Sequence, residues 1–170
     1  ENTLQSLLAE LALNRLDIVL ADGPVPPSLG IRGFNHSLGE SGISFVAVPE
    51  LAVTLKANFP ASLDGAPLLI PSAINLLHVR LLQWFDKQNI HPLVVGEFDD
   101  SALMKTFGQA GIGVFTVPSA IADEVVSQYN VQIIGSTKAV REQFFAISAE
   151  RRISNPAVVA ITESAREWLK

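Results

Sequence analysis

The feature that most constrains this chain is the alternation of short apolar runs with stretches whose apolar residues recur every three or four positions. The runs are Asp17-Ile18-Val19-Leu20-Ala21, Ile43 to Val48, Leu68-Leu69-Ile70, Leu93-Val94-Val95, Val114 to Val117, Val131 to Ile134 and Gln143 to Ser148, each of strand length. Between them lie helical patterns. Leu4, Leu7, Leu8 and Leu11 follow a cap at Asn2 or Thr3 and stop near Asn14, and Leu51, Leu55 and Phe59 precede the breaker Pro60. Leu77, Leu81, Trp84 and Phe85 share one face, Leu103, Met104 and Phe107 another, and a further helical stretch runs from Pro118-Ser119 to about Gln128. The last helix is capped by Ser154 or Asn155, takes Pro156 in its first turn and presents Val158, Ile161, Ala165 and Trp168. Such alternation predicts parallel α/β layers with ligands beyond the carboxyl ends of the strands. That rule marks the loops Asp22-Gly23-Pro24, Pro71 to Asn75, Gly96 to Ser101 and Pro118-Ser119.

Composition excludes several function classes. With 48% hydrophobic and 17% charged residues the chain is globular, and its net charge of -5 supplies no basic stripe for a phosphate backbone, so this segment is not expected to hold DNA. Cysteine is absent, which removes disulfides, thiolate metal sites and cysteine nucleophiles. No run approaches the length of a membrane helix and the N-terminus lacks the order of a signal peptide, so a soluble protein is expected. The sequence opens at Glu1-Asn2-Thr3 without an initiator methionine, so an upstream region is allowed for.

Catalytic motifs are missing. His36, His78 and His91 are scattered without metal-ligand spacing. Gly39-Glu40-Ser41-Gly42 precedes a strand and lacks the spacing of a nucleophile elbow, so it reads as a turn. Gly111-Ile112-Gly113 enters a strand and reads as a helix stop, and no Gly-Lys-Ser or Gly-Lys-Thr phosphate loop occurs. No enzyme activity, catalytic residue or cofactor is therefore expected. Glu97, Asp99 and Asp100 gather where a strand meets a helix, where carboxylates either cap the helix or act as ion ligands; both readings stay open. Ser72 and Asn75 pose the same choice between capping and holding a polar effector. Asp22 is a charge placed directly after a buried strand, which packing explains poorly.

Leu11 to Ala21, read as Leu-x-x-Asn-Arg-Leu-Asp-Ile-Val-Leu-Ala, resembles the L-x-x-G-x-L-D segment of LysR-type effector domains, with Asn14 in place of the usual glycine. Met104 to Pro118, with Ala110-Gly111-Ile112-Gly113-Val114-Phe115-Thr116-Val117-Pro118, is similar to the second-lobe V-x-x-G-x-G segment of the same family. Leu38 to Phe45 and Phe59 to Leu69 resemble a subgroup of that family, the sodium-responsive activators of sodium/proton antiporter genes. The resemblance implies a two-lobed, type-2 periplasmic-binding-protein-like α/β fold whose first lobe lacks its opening strand-helix-strand. Its implied lobes are 1–66 with the return segment 144–170, and 67–143, joined by crossovers near Ala66 and Phe144.

Residues matching the family's effector positions are Asp22, Ser72, Ala73, Asn75, Glu97 and Phe98, in a cleft between the lobes. The implied function is effector sensing for a cytoplasmic transcription regulator, with a small-molecule or ion effector, DNA bound through an upstream winged helix-turn-helix, and a homodimer or homotetramer in the full protein. The alternative is a periplasmic solute-binding protein serving a transporter.

Overall fold

The structure, a computed structural model, describes residues 2–151 and 154–169. Contacts divide these into two compact units, one holding residues up to Glu40 and from Gln143 onward, the other Ser41–Glu142. Two long strands pass from unit to unit: β2 (Phe34–Ala47) between Glu40 and Ser41, and β6 (Gln132–Ser148) between Glu142 and Gln143.

Unit 1 opens with α1 (Leu4–Ala12), whose N-cap Thr3 accepts the Ser6 N–H at 3.3 Å, and the chain leaves it through Asn14 at φ 56°. An asparagine tolerates that left-handed backbone, which is how it stands in for the glycine of the family pattern. β1 (Val19–Ala21) pairs antiparallel with the end of β6, Val19 opposite Ile147. Leu8, Leu11, Val19 and Ile147 form its main buried cluster. α6 (Pro156–Trp168) is capped by Asn155, whose side chain accepts the Ala157 N–H at 3.0 Å, with Pro156 in the first turn. Its inward face differs from the expected one. Val158 and Thr162 are buried, while Ile161 is 47% and Trp168 60% exposed.

Unit 2 contains α2 (Pro49–Leu55), β3 (Pro67–Pro71), α3 (Leu76–Gln88), β4 (Leu93–Phe98), α4 (Ser101–Gln109), β5 (Phe115–Pro118) and α5 (Ala122–Tyr129). β3 and β4 are parallel, and Leu68 forms a parallel bridge to Val114 just before β5, so all three strands point the same way. β2 runs antiparallel to β5, Ile43 opposite Pro118. Expectation and structure therefore differ on strand direction: β1–β6 and β2–β5 are antiparallel, and the parallel part is confined to β3, β4 and β5. Apolar runs show where strands are but not which neighbour they meet.

Two buried clusters fill unit 2. Ile43, Phe45 and Ala47 point from β2 into one, around Trp84, Phe85 and the ring of Phe59; Val46 points into the other, with Leu69, Met104, Phe115 and Val117. Alternation along a strand buried on both faces produces this division. Gly108 of α4 lets the Phe115 ring lie against the helix, since a Cβ there would stand 2.2 Å from the ring. The segment 41–66, assigned above to the first lobe, supplies Ile43, Phe45, Leu63 and Ala66 to the core of unit 2.

Two further expectations are corrected. Gly39-Glu40-Ser41-Gly42 is not a turn but the middle of β2, with Gly39 at φ 152°. A side chain at Gly39 would meet the Leu169 Cβ at 2.6 Å, so the glycine serves close packing. Val131 to Ile134 and Gln143 to Ser148 are not separate strands but parts of the 17-residue β6. Its polar middle keeps only Val140 buried, which hides the continuity from an apolar-run reading.

Candidate functional site

The carboxyl ends of β3, β4 and β5 lie on one edge of unit 2, the position where open α/β layers build binding crevices. The loops after β3 and β4 are sewn together there. The Ser72 N–H donates to Phe98 O at 2.8 Å, and Ser72 Oγ donates to the Asp99 carboxylate. Asn75 donates its N–H to Ser72 O at 3.0 Å and accepts the Leu77 N–H on its side-chain oxygen at 2.8 Å, capping α3. Asp100 caps α4, accepting Ala102 N–H at 2.7 Å and Leu103 N–H at 3.1 Å. Two helix N-termini thus open where two strands end, and both caps are supplied by residues the sequence singled out.

The remaining predicted residues surround this frame. Phe98 is half-buried and meets Phe107 edge-on at a centroid separation of 5.2 Å. Glu97 and Ala73 are exposed. His78 holds its Nδ1 2.7 Å from Pro71 O; a carbonyl only accepts, so Nδ1 carries the proton and the ring anchors the end of β3. The open choice for Asp100 falls to capping. Asp99 is engaged by Ser72, and among the described residues no group of three or more His, Cys, Asp or Glu is gathered so as to hold a metal ion. Ser72, Asn75, Glu97, Phe98 and Asp99 are brought to this one edge. Asp22 belongs to unit 1, exposed directly after β1.

Sequence reasoning missed a group of hydroxyls at the end of β5. Ser44 Oγ, 1% exposed as a residue, lies 2.8 Å from Ser119 Oγ and 2.8 Å from Ser136 Oγ. The Pro118-Ser119 loop was marked by topology; the available signal for Ser44 was a polar residue inside the run Ile43 to Val48. In unit 1 a cavity of about 150 Å³ is bordered by Asn14, Asp17, Ser148, Glu150, Ser154 and Asn155, and none of the predicted site residues lines it.

Among known proteins, the transcriptional activator protein NhaR of Escherichia coli strain K12 and that of Shigella flexneri are each 37% identical to this chain over 164 residues, covering 95% of it and 52% of their own length. The chain spans about half the length of these relatives. Solved structures of similar fold include the reduced regulatory domain of OxyR2 from Vibrio vulnificus, with a TM-score of 0.68 at 17% identity, covering 99% of this chain and 79% of that one. The CcmR regulatory domain of Synechocystis PCC6803, in complex with 2-PG, gives 0.66 at 11% identity, covering 98% and 79%. These likenesses show the fold, an α/β fold of the type-2 periplasmic-binding-protein kind. The profile of the LysR substrate binding domain matches residues 1–170, and the chain belongs to that family.

Proposed function

We propose that this chain is the effector-sensing part of a LysR-type transcription activator, that sodium or lithium is its effector, and that DNA is bound by another part of the whole protein. The observation that carries the reading is the 37% identity to NhaR along 95% of the chain. The net charge of -5 agrees with DNA binding residing elsewhere. Units 1 and 2 serve as the two lobes. Ser72, Ala73, Asn75, Glu97 and Phe98 are the effector residues of unit 2, and Asp22 is the effector residue of unit 1. Asp99 and Glu97 supply the carboxylate oxygens suited to a hard cation. The relatives being transcription activators favours this reading over transport or catalysis. An effector acts only through its differential affinity for two states of the regulator, since equal affinity shifts nothing.

The working form is a homo-oligomer. Leu76, Val79 and Leu82 form an apolar stripe on the side of α3 opposite its buried face of Leu77, Leu81, Trp84 and Phe85, and are 56%, 47% and 44% exposed. Such an exposed apolar stripe is a surface that self-association would cover.

Sodium or lithium chloride is titrated into the complete protein against potassium chloride at constant ionic strength, which removes general screening from the comparison. Trp84, 7% exposed among Phe45, Phe59 and Phe85, reports unit 2; Trp168, 60% exposed, reports unit 1. The expected result is a saturable fluorescence change with sodium and lithium and none with potassium. Identical responses to all three ions exclude the sodium reading.

A further inference from the structure

Where β2 enters unit 2 it is held to the loop after β5 from both of its faces. On one, the Ala120 N–H donates to Ser41 Oγ at 3.0 Å, and that hydroxyl donates to Gly42 O at 2.8 Å. On the other, Ser44 Oγ joins Ser119 Oγ and Ser136 Oγ, each at 2.8 Å. The two-residue period of a strand places Ser41 and Ser44 on opposite faces. Both are buried, 6% and 1% exposed, so losing a partner would strand a polar group away from water.

The second passing strand meets the first at the same place. A Cβ on Gly42 would stand 2.7 Å from Thr137 O of β6, an approach that only glycine permits. Ser136, the neighbour of Thr137, is the β6 member of the hydroxyl group. Three segments therefore converge within four residues of β2: the loop at Ser119-Ala120, β2 itself, and β6. Proton counting shows that the hydroxyl group keeps one donor beyond its own links. Three hydroxyls carry three protons and the two Oγ–Oγ links use two, so a third is left to donate outward, and Ser119 and Ser136 are exposed.

We propose that Ser41, Gly42 and Ser44 form a latch that binds the loop after β5 to both strands passing between the units, so that loop and passing strands change state together. A relay role for an effector rests on the reading above; the coupling itself is testable without any effector.

Amide hydrogen exchange of the full chain, followed by mass spectrometry, makes the test with Ser41→Ala and Ser44→Ala, singly and together. Exchange is expected to rise on the order of tenfold in 118–122, and to rise with it in 36–43 and 134–142. Thr106→Ala, which removes an exposed hydroxyl bond to Ala102 O within α4, leaves those segments unchanged. A rise confined to 118–122 overturns the latch, as does a uniform rise that includes β3 and α3, because that is general destabilisation. Should the double variant not fold, Ser119→Ala, at an exposed position, carries the same test with an expected rise of about threefold.

Discussion

Unit 2 is built around rings and unit 1 around a few aliphatic side chains. In unit 2, Phe45 stacks on Trp84 at 5.5 Å, with Phe59 and Phe85 at 5.5 and 5.9 Å, and a second cluster lies on the other side of β2. In unit 1 the main buried cluster is Leu8, Leu11, Val19 and Ile147, ringed by partly buried neighbours such as Leu4, Leu7, Val25 and Phe145, with Leu38, Ala146 and Val158 also buried. Rings bury more area per residue and interlock more tightly than a half-exposed aliphatic shell. The difference sets an expectation for each unit: the ring-packed unit 2 is expected to be the firmer frame behind the Ser72–Asp100 edge, and unit 1 to open at lower cost.

The largest effect expected from that contrast is in the cores. Phe45→Ala should destabilise unit 2 by about 4 kcal/mol, because four-ring packing cannot collapse around the void, whereas Leu11→Ala should cost unit 1 about 2 kcal/mol, its shell being free to relax. Urea denaturation, with Trp84 and Trp168 fluorescence and segment-resolved hydrogen exchange separating the units, checks this. Equal losses would erase the contrast. A smaller effect lies in the helix caps. Asp100→Ala should cost about 1 kcal/mol because its carboxylate holds two N–H groups at 2.7 and 3.1 Å, while Thr3→Ala, losing one backbone N–H at 3.3 Å and an exposed bond to Ser6 Oγ at 2.9 Å, should cost about half as much. The smallest effect on stability is expected on the outward face of α3. Leu82→Asn should leave the unfolding free energy within about 0.5 kcal/mol and yet lower the molar mass of the whole protein in light scattering. An unchanged mass would place the self-association surface elsewhere.

Much of the fold was legible because its signals are local. The caps Thr3, Asn75, Asp100 and Asn155, the inward face of α3 and the end of α4 near Gly111 all stand where spacing put them. The edge carrying Ser72, Asn75 and Phe98 followed from strand ends. Misreadings came where a residue's partner is distant in sequence. Gly39 and Gly42 look like turn residues, but each answers to a close approach, of Leu169 and of Thr137. Ile161 and Trp168 fit a helical stripe as well as Val158 and Thr162 do, and only packing decided which pair was buried. Ser44 lies in an apolar run, yet its hydroxyl partners are 75 and 92 residues away.

By itself the sequence determined the α/β class, the ends of most helices, the strand-end loops of the site and the family, because periodicity, capping and motif spacing are set by residues within a turn or two of one another. Only the tertiary structure decided the antiparallel pairing of β1 and β2, the unbroken course of β6, the apolar outer face of α3 and the serine contacts on β2. Those depend on which surfaces meet, and strand pairing and burial are settled by contacts between segments that local patterning leaves equally free to choose other partners.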